Sequence, residues 1–318
     1  MTSRDALVRS GVRIGGFNHD KTHLVITLPP PVPSNEACHQ LQAAALRVRE
    51  AILQIMYHSG SGHVGSALSQ TDILVALYHR ALRVDPHRLD WPQRDRFVLS
   101  KGHGGLGLVA VLADCDFINP DDLSTFGKTG SALGMHMHHR KVPAIEVATG
   151  SLGHGLGIAV GMALGVRLKG WPSRTVCLLS DGECYEGSTW EAALAASAQR
   201  LHRLIAVVDR NRLTMDGFTE QEVPLEPLAD KWASFGWRVI NCDGHDFRQL
   251  CASIETALSE PDTADVGTMR PTVILAQTVK GKGVDFMEDE PKWHYGALDS
   301  AMYARALASV RLQYQSLS

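Results

Sequence analysis

The sequence predicts a single doubly wound α/β domain, one mostly parallel sheet with helices on both faces. Three observations carry that expectation. Strand-like apolar runs alternate with helix-like segments along most of the chain, the pattern that builds parallel sheets from βαβ units. The clearest unit runs from Thr175-Val176-Cys177-Leu178-Leu179 through an acidic turn, residues 179–187, to a helical stretch, 189–201, and a second apolar run, Leu204-Ile205-Ala206-Val207-Val208. The 318 residues, 44% hydrophobic and 20% charged, suffice for one large core or at most two modest ones.

In chain order, residues 1–35 read as an extension. Val25-Ile26-Thr27-Leu28 has the makings of a short strand, and Pro29-Pro30-Pro31-Val32-Pro33 forbids regular structure after it. Ser34 or Asn35 is placed to cap a helix over 36–57, in which Leu41, Ala45, Val48, Ile52 and Ile55 recur every three to four residues. A glycine-rich turn, Ser59 to Gly65, precedes a second helix through 71–77. A strand at Arg96-Phe97-Val98-Leu99-Ser100 leads into Lys101-Gly102-His103-Gly104-Gly105 and a helix that includes 110–115. Residues 124–150 read as irregular. Gly150-Ser151-Leu152-Gly153-His154-Gly155 opens a small-residue helix, 156–168, whose start suits a diphosphate at a helix N-terminus. Beyond the central unit come a strand at 237–240, a helix near 247–258, and a strand at 272–276 ending in Lys280-Gly281-Lys282-Gly283. A loop carries Trp293-His294-Tyr295-Gly296. No repeat and no further domain boundary shows after residue 35, so 36–318 is expected to be one domain.

Composition excludes several function classes. A formal net charge of −3 provides no basic field for nucleic acid. The six cysteines form no CxxC pair, which reads as reduced thiols and a cytoplasmic protein. No apolar run approaches the ~18–20 residues that cross a bilayer, and residues 1–20 lack a signal core.

The chemistry concentrates at the acidic turn. In a right-handed βαβ unit the turns after both strands lie at one edge of the sheet, where open α/β sheets bind ligands. Asp181 and Asn211 would present hard oxygens to a common point, a set suited to Mg²⁺ or Ca²⁺ holding a phosphate. Taken singly, Asp181-Gly182 could be only a tight turn and Asn211 only a strand-end cap.

Asp181-Gly182, Glu186-Gly187, Trp190-Glu191-Ala192, Asp209-Arg210-Asn211 and Asp216-Gly217 together resemble the thiamin diphosphate motif, and their spacing is similar to that of the transketolase family. The likeness runs from about residue 37 to 297. It implies thiamin diphosphate bound with Mg²⁺, for which Ca²⁺ could substitute, and Asp181, Asn211 and the Leu213 carbonyl as metal ligands. Gly182, Glu183, Glu186 and Asn211 fall among the implied cofactor contacts, with Glu186 near a subunit interface. Ser180 stands where the family usually has glycine.

The same resemblance assigns the histidines. His63 in Ser61-Gly62-His63-Val64-Gly65 and His103 in Leu99-Ser100-Lys101-Gly102-His103 match residues that touch the diphosphate and substrate hydroxyls. His136 would face the substrate, although Met137 replaces a proline and His138 an acidic residue. The grouping of His136, His138 and His139 also invites zinc, but no fourth ligand has regular spacing. Gly150, Leu152 and His154 are implied cofactor contacts. The substrate end falls to His294 or to the inserted Tyr295, with His294 preferred. Lys280 and Lys282 read as a solvated strand end and are assigned no chemistry.

Everything recognised belongs to the first of the three domains of a complete transketolase; nothing resembles the one that supplies a glutamate to the aminopyrimidine ring. The resemblance thus implies the diphosphate-binding subunit of a split transketolase, moving a two-carbon ketol unit from a ketose, usually phosphorylated, to an aldose. A separately encoded subunit carrying the pyrimidine-binding and C-terminal domains would complete a symmetric assembly, two of each. The alternatives are an unusual sugar or a 2-keto acid as donor, or a non-catalytic cofactor-binding scaffold.

Overall fold

The computed structural model describes residues 33–259 and 269–315, so the Val25–Leu28 expectation and most of the N-terminal extension lie outside the described residues. The first helix, α1 (Asn35–Ser59), is capped by Ser34, whose hydroxyl accepts the Ala37 N–H at 3.2 Å, and it stops at Gly60 in the left-handed conformation. Two short helices follow, α2 (Val64–Ser69) and α3 (Thr71–Ala76); α3 runs on as a π-helical turn to Ala81. Strand β1 (Arg96–Leu99) leads into α4 (Gly105–Asp114). The segment before α5 (Gly155–Leu168) is irregular, as expected.

Next come β2 (Thr175–Ser180), α6 (Gly187–Ala198) and β3 (Leu204–Arg210). The chain continues with α7 (Thr219–Glu222), α8 (Leu228–Ser234), β4 (Arg238–Asp243), α9 (Phe247–Leu258), β5 (Thr272–Gln277) and α10 (Ser300–Gln315). Of the helices, α2, α7 and α8 are too short for a period to show, and α10 was not expected from the sequence. The last is held to α1 by contacts such as the Tyr57–Tyr303 stack at 4.7 Å.

All pairings are parallel, in the order β1-β2-β3-β5-β4. Both faces are covered, and strand residues alternate between two cores as the pleat demands. Val176, Leu178, Ile205, Val207 and Ile274 pack with α1, α3, α4 and α9; Cys177, Leu179, Ala206, Val208 and Leu275 pack with α5, α6 and α8. Among the described residues no helix is long and apolar enough to cross a membrane.

One close approach fixes where α5 begins. A Cβ added at Gly155 would lie 2.5 Å from the Ser100 Cα at the end of β1. Gly155→Ala is therefore expected to destabilise the fold by about 1–3 kcal/mol or more, the range for overpacking, as read in denaturant unfolding. An unchanged midpoint would mean that the β1–α5 junction yields freely.

Candidate active site

The C-terminal ends of β1, β2, β3 and β5 meet at one edge of the sheet, and the turns leaving them carry most of the expected residues. Ser180 pairs in register with Asp209, so the turns holding Asp181 and Asn211 are neighbours. Asp181 is buried. Its Oδ1 accepts the Gly182 N–H at 2.8 Å, and its Oδ2 accepts the Arg212 N–H at 2.6 Å and Arg210 at 3.1 Å. Burial, with the nearby Asp209 carboxylate, pushes the Asp181 acid upward despite Arg210. Asn211 Oδ1 accepts the Leu213 N–H at 3.1 Å, and the Leu213 carbonyl already faces a cation, Lys280 Nζ, at 2.9 Å. This oxygen-only set fits a hard divalent cation.

Four imidazoles gather beside it, delivered by separate segments. Ring centroids lie 5.4 Å apart for His63–His103, 5.5 Å for His63–His294, 6.2 Å for His63–His136, and 5.5 Å for the stacked His103–His294 pair. His103 Nε2 lies 3.2 Å from the Ser66 hydroxyl. Lys280 Nζ donates to His294 Nδ1 at 2.9 Å, which leaves that ring's proton on Nε2. Gly150, with φ +156°, gives His136 its room: a Cβ there would lie 2.9 Å from the His136 ring. Tyr295 also reaches His63, at 4.9 Å, while its hydroxyl bonds Ser61 at 2.8 Å. Both residues therefore border the site, and His294 is the one coupled to its lysine.

Burial holds His63, His103 and His294 neutral. It takes His63 down to about 4 and His294 to about 3, aided by Lys280 in both cases, and pushes His103 well below the usual range together with Lys101. The sign follows directly. Between the unfolded value, about 6.5, and the lowered folded values, the unfolded chain binds protons that the native one refuses. Stability is thus full above that window and is lost as pH falls through it. Melting temperature should drop between pH 6.5 and 4, and His63→Asn should flatten that drop; an unchanged slope would rule out His63 as a contributor.

Lys280 corrects the sequence reading. It is not a solvated strand end: it is 2% exposed, bonds the Leu213 and Thr214 carbonyls, and is held down to about 8 chiefly by burial. Gly281, at φ +79° with the Met287 carbonyl carbon 2.6 Å from a would-be Cβ, makes the tight turn that aims it inward. The only sequence signal was the lysine's place between a strand end and a glycine. Lys101 and Arg210 went equally unread. Lys101 is fully buried and paired with Asp209, which also binds Ser69 and Thr278; Arg210 ties Asp181 to Glu220 and Glu226.

Other expected residues stand differently. Glu183 is turned inward and fully buried, accepting from Ser100, from Gly153 N–H at 3.1 Å and from Ser180 N–H at 2.9 Å. Its carboxylate fastens three turns from within and has no face left for a cofactor. The Ser180 hydroxyl accepts the Glu183 N–H at 3.3 Å, so the residue replacing glycine serves the same turn. His154 is exposed, with Nδ1 3.1 Å from the Leu152 carbonyl, and stands outside the imidazole group. Leu152 is half-buried beside it, and Glu186 is exposed at the start of α6. Met137, replacing a proline, is buried in the core. His138 and His139 stack at 4.8 Å, and among the described residues no three His, Cys, Asp or Glu are grouped to hold a metal, so the zinc alternative gains no support.

Comparison with known proteins identifies the family. The family model for the transketolase thiamine diphosphate binding domain matches residues 39–314. The chain is 41% identical over 270 residues to the 6-deoxy-6-sulfo-D-fructose transketolase subunit SqwG of Clostridium sp. (strain MSTE9), covering 85% of this chain and 96% of that one. It is 39% identical over 264 residues to an apulose-4-phosphate transketolase subunit of Actinobacillus succinogenes, covering 83% and 93%. The solved transketolase from Leishmania mexicana superposes with a TM-score of 0.77 at 25% identity, over 87% of this chain and 45% of that one, so the chain spans under half the length of that enzyme. With the family model covering nearly all of the described residues, the chain belongs to the transketolase family, matching its thiamine diphosphate binding domain.

Proposed function

We infer that this chain is the diphosphate-binding subunit of a two-component transketolase, a transferase that moves a ketol unit between sugars. The observation that carries the reading is the meeting of an oxygen-donor set, Asp181, Asn211 and the Leu213 carbonyl, with four imidazoles at one sheet edge. Relatives matched over nearly their whole length are themselves described as transketolase subunits.

Asp181, Asn211 and the Leu213 carbonyl would hold Mg²⁺, and Lys280 would face the diphosphate. When bound, thiamin diphosphate supplies the carbanion that makes and breaks the carbon–carbon bond. The protein's part is placement and proton handling. His63, His103, His136 and His294 are positioned to bind and relay protons among sugar hydroxyls, and His294 presents Nε2–H as a donor. Because burial keeps His63, His103 and His294 neutral, each can accept or donate without first shedding a proton. Gly150 and Gly182 allow close backbone approach, with Leu152 and His154 along the same rim and Glu186 towards a partner surface. A symmetric assembly with two copies of each subunit, in the cytoplasm, completes the reading.

The donor is a ketose, phosphorylated or carrying another anionic or unusual end. The exposed His138, where the family is usually acidic, favours a substrate end unlike that of common transketolases. The test is a donor panel: phosphoketoses, a 6-sulfonated ketose and a 2-keto acid, incubated with an aldose, thiamin diphosphate, Mg²⁺ and both subunits. Ketol transfer from a ketose supports the reading; turnover of the 2-keto acid alone would replace it with the decarboxylating alternative.

A further inference from the structure

Beneath the site runs a buried chain of contacts that none of the roles above requires. Arg49 of α1, 1% exposed, grips both carboxylate oxygens of Asp72 on α3, at 2.8 and 2.7 Å. Asp72 Oδ2 also accepts from His245 Nδ1 at 2.6 Å. His245 stands in the loop between β4 and α9, and its side chain is 13% exposed. Its second nitrogen, Nε2, accepts the backbone N–H of Val279 at 2.9 Å. Arg49 Nε in turn donates to the Lys282 carbonyl at 3.2 Å. Val279 and Lys282 bracket the turn that delivers Lys280, so that turn rests on the Asp72 network from both ends. Donation through Nδ1 and acceptance through Nε2 are compatible with only one neutral tautomer of His245.

We propose that His245 is a positioning residue of the cofactor site: oriented by Asp72, its neutral imidazole holds the Val279 N–H and thereby seats the Lys280 ammonium against the Leu213 carbonyl and His294. The inference rests on the reading that this edge binds the diphosphate. Losing Nε2 takes away the acceptor that the Val279 N–H uses at the start of a turn that runs through Gly281 and Gly283, both at positive φ. From below, His245 holds the Val279 end of the turn and Arg49 the Lys282 end.

The test uses the full chain as wild type, His245→Gln, His245→Phe and Lys280→Met. Glutamine can place an amide oxygen where Nε2 lies; phenylalanine keeps the ring and leaves Val279 unpaired. Lys280→Met marks the loss of affinity expected when the ammonium is gone, and hydrogen exchange at the Val279 amide needs no ligand. The Val279 amide should stay protected in wild type and in His245→Gln and exchange at least about tenfold faster in His245→Phe. Calorimetry with thiamin diphosphate and Mg²⁺ should show affinity lowered roughly tenfold in His245→Phe and held within about threefold in His245→Gln. Unchanged Val279 exchange in His245→Phe overturns the proposal, as does equal loss in both His245 variants. If wild type binds no cofactor, the functional reading fails, and the Val279 exchange still decides the role of His245.

Discussion

Asp181→Ala should lower metal-dependent binding of thiamin diphosphate by at least about 100-fold, since even outer-shell partners of metal ligands cost 10–100-fold. The loss has two parts. The carboxylate is the one full negative charge in the expected ligand set, and the cation's affinity for the remaining amide and carbonyl oxygens is weak. Removing it also strands the buried Arg210 guanidinium, which would then pair with Glu220 and Glu226 alone and draw the 219–228 segment away from the site. Asp181→Asn separates these parts: it keeps the volume and an acceptor for the Arg212 N–H but drops the charge. Calorimetric titration with thiamin diphosphate and Mg²⁺, wild type beside both variants, reads the difference. Identical heats for wild type and Asp181→Ala would remove Asp181 from the metal site.

How much of this was legible in the sequence follows from the range of each signal. The central βαβ unit could be read because strand and helix periodicities sit side by side between residues 175 and 208, and the acidic turn falls between them. The strands β2, β3 and β5 were visible for the same reason, since strands buried on both faces are continuous apolar runs, while the edge strand β4 showed only its shorter apolar stretch. Short helices such as α2 and α7 hold one or two turns, too few for a period to show. The histidines were legible through glycine-flanked motifs, yet their neutrality was not, because it arises from burial and from Lys101 and Lys280 folding in against them. Lys280 and Glu183 mark the two directions of error. A lysine after a strand looks solvated until a tight glycine turn inverts it, and an acid in a cofactor motif looks ligand-facing until a strand-end serine and two backbone amides claim it.

The second large effect concerns a partner. The chain alone should show ketol transfer at a rate lower by about 10²–10⁴-fold, the usual contribution of a placed general acid or base, with full activity on adding the pyrimidine-binding subunit. The reading calls for a carboxylic acid beside the cofactor's aminopyrimidine ring, and the buried acids around this site are already committed. Asp181 serves Arg210 and two backbone amides, Asp209 serves Lys101, Glu183 fastens the turns, and Asp72 is clamped by Arg49 and His245. Freeing any of them would leave a buried cation unpaired or a turn unsupported, at a cost of several kcal/mol where a buried ion pair is broken. On the two-component reading, the acid comes from a second chain. The outer face of α5 and α6 offers it a seat: Leu168 is 85% and Leu194 59% exposed, and Gly161 and Gly165 have open space above them. Leu194→Asp should then weaken pairing in sedimentation while leaving the melting temperature of the chain unchanged. Full turnover by the purified chain without a partner would sink the two-component reading, because it would require a catalytic acid that every buried carboxylate here is too occupied to be.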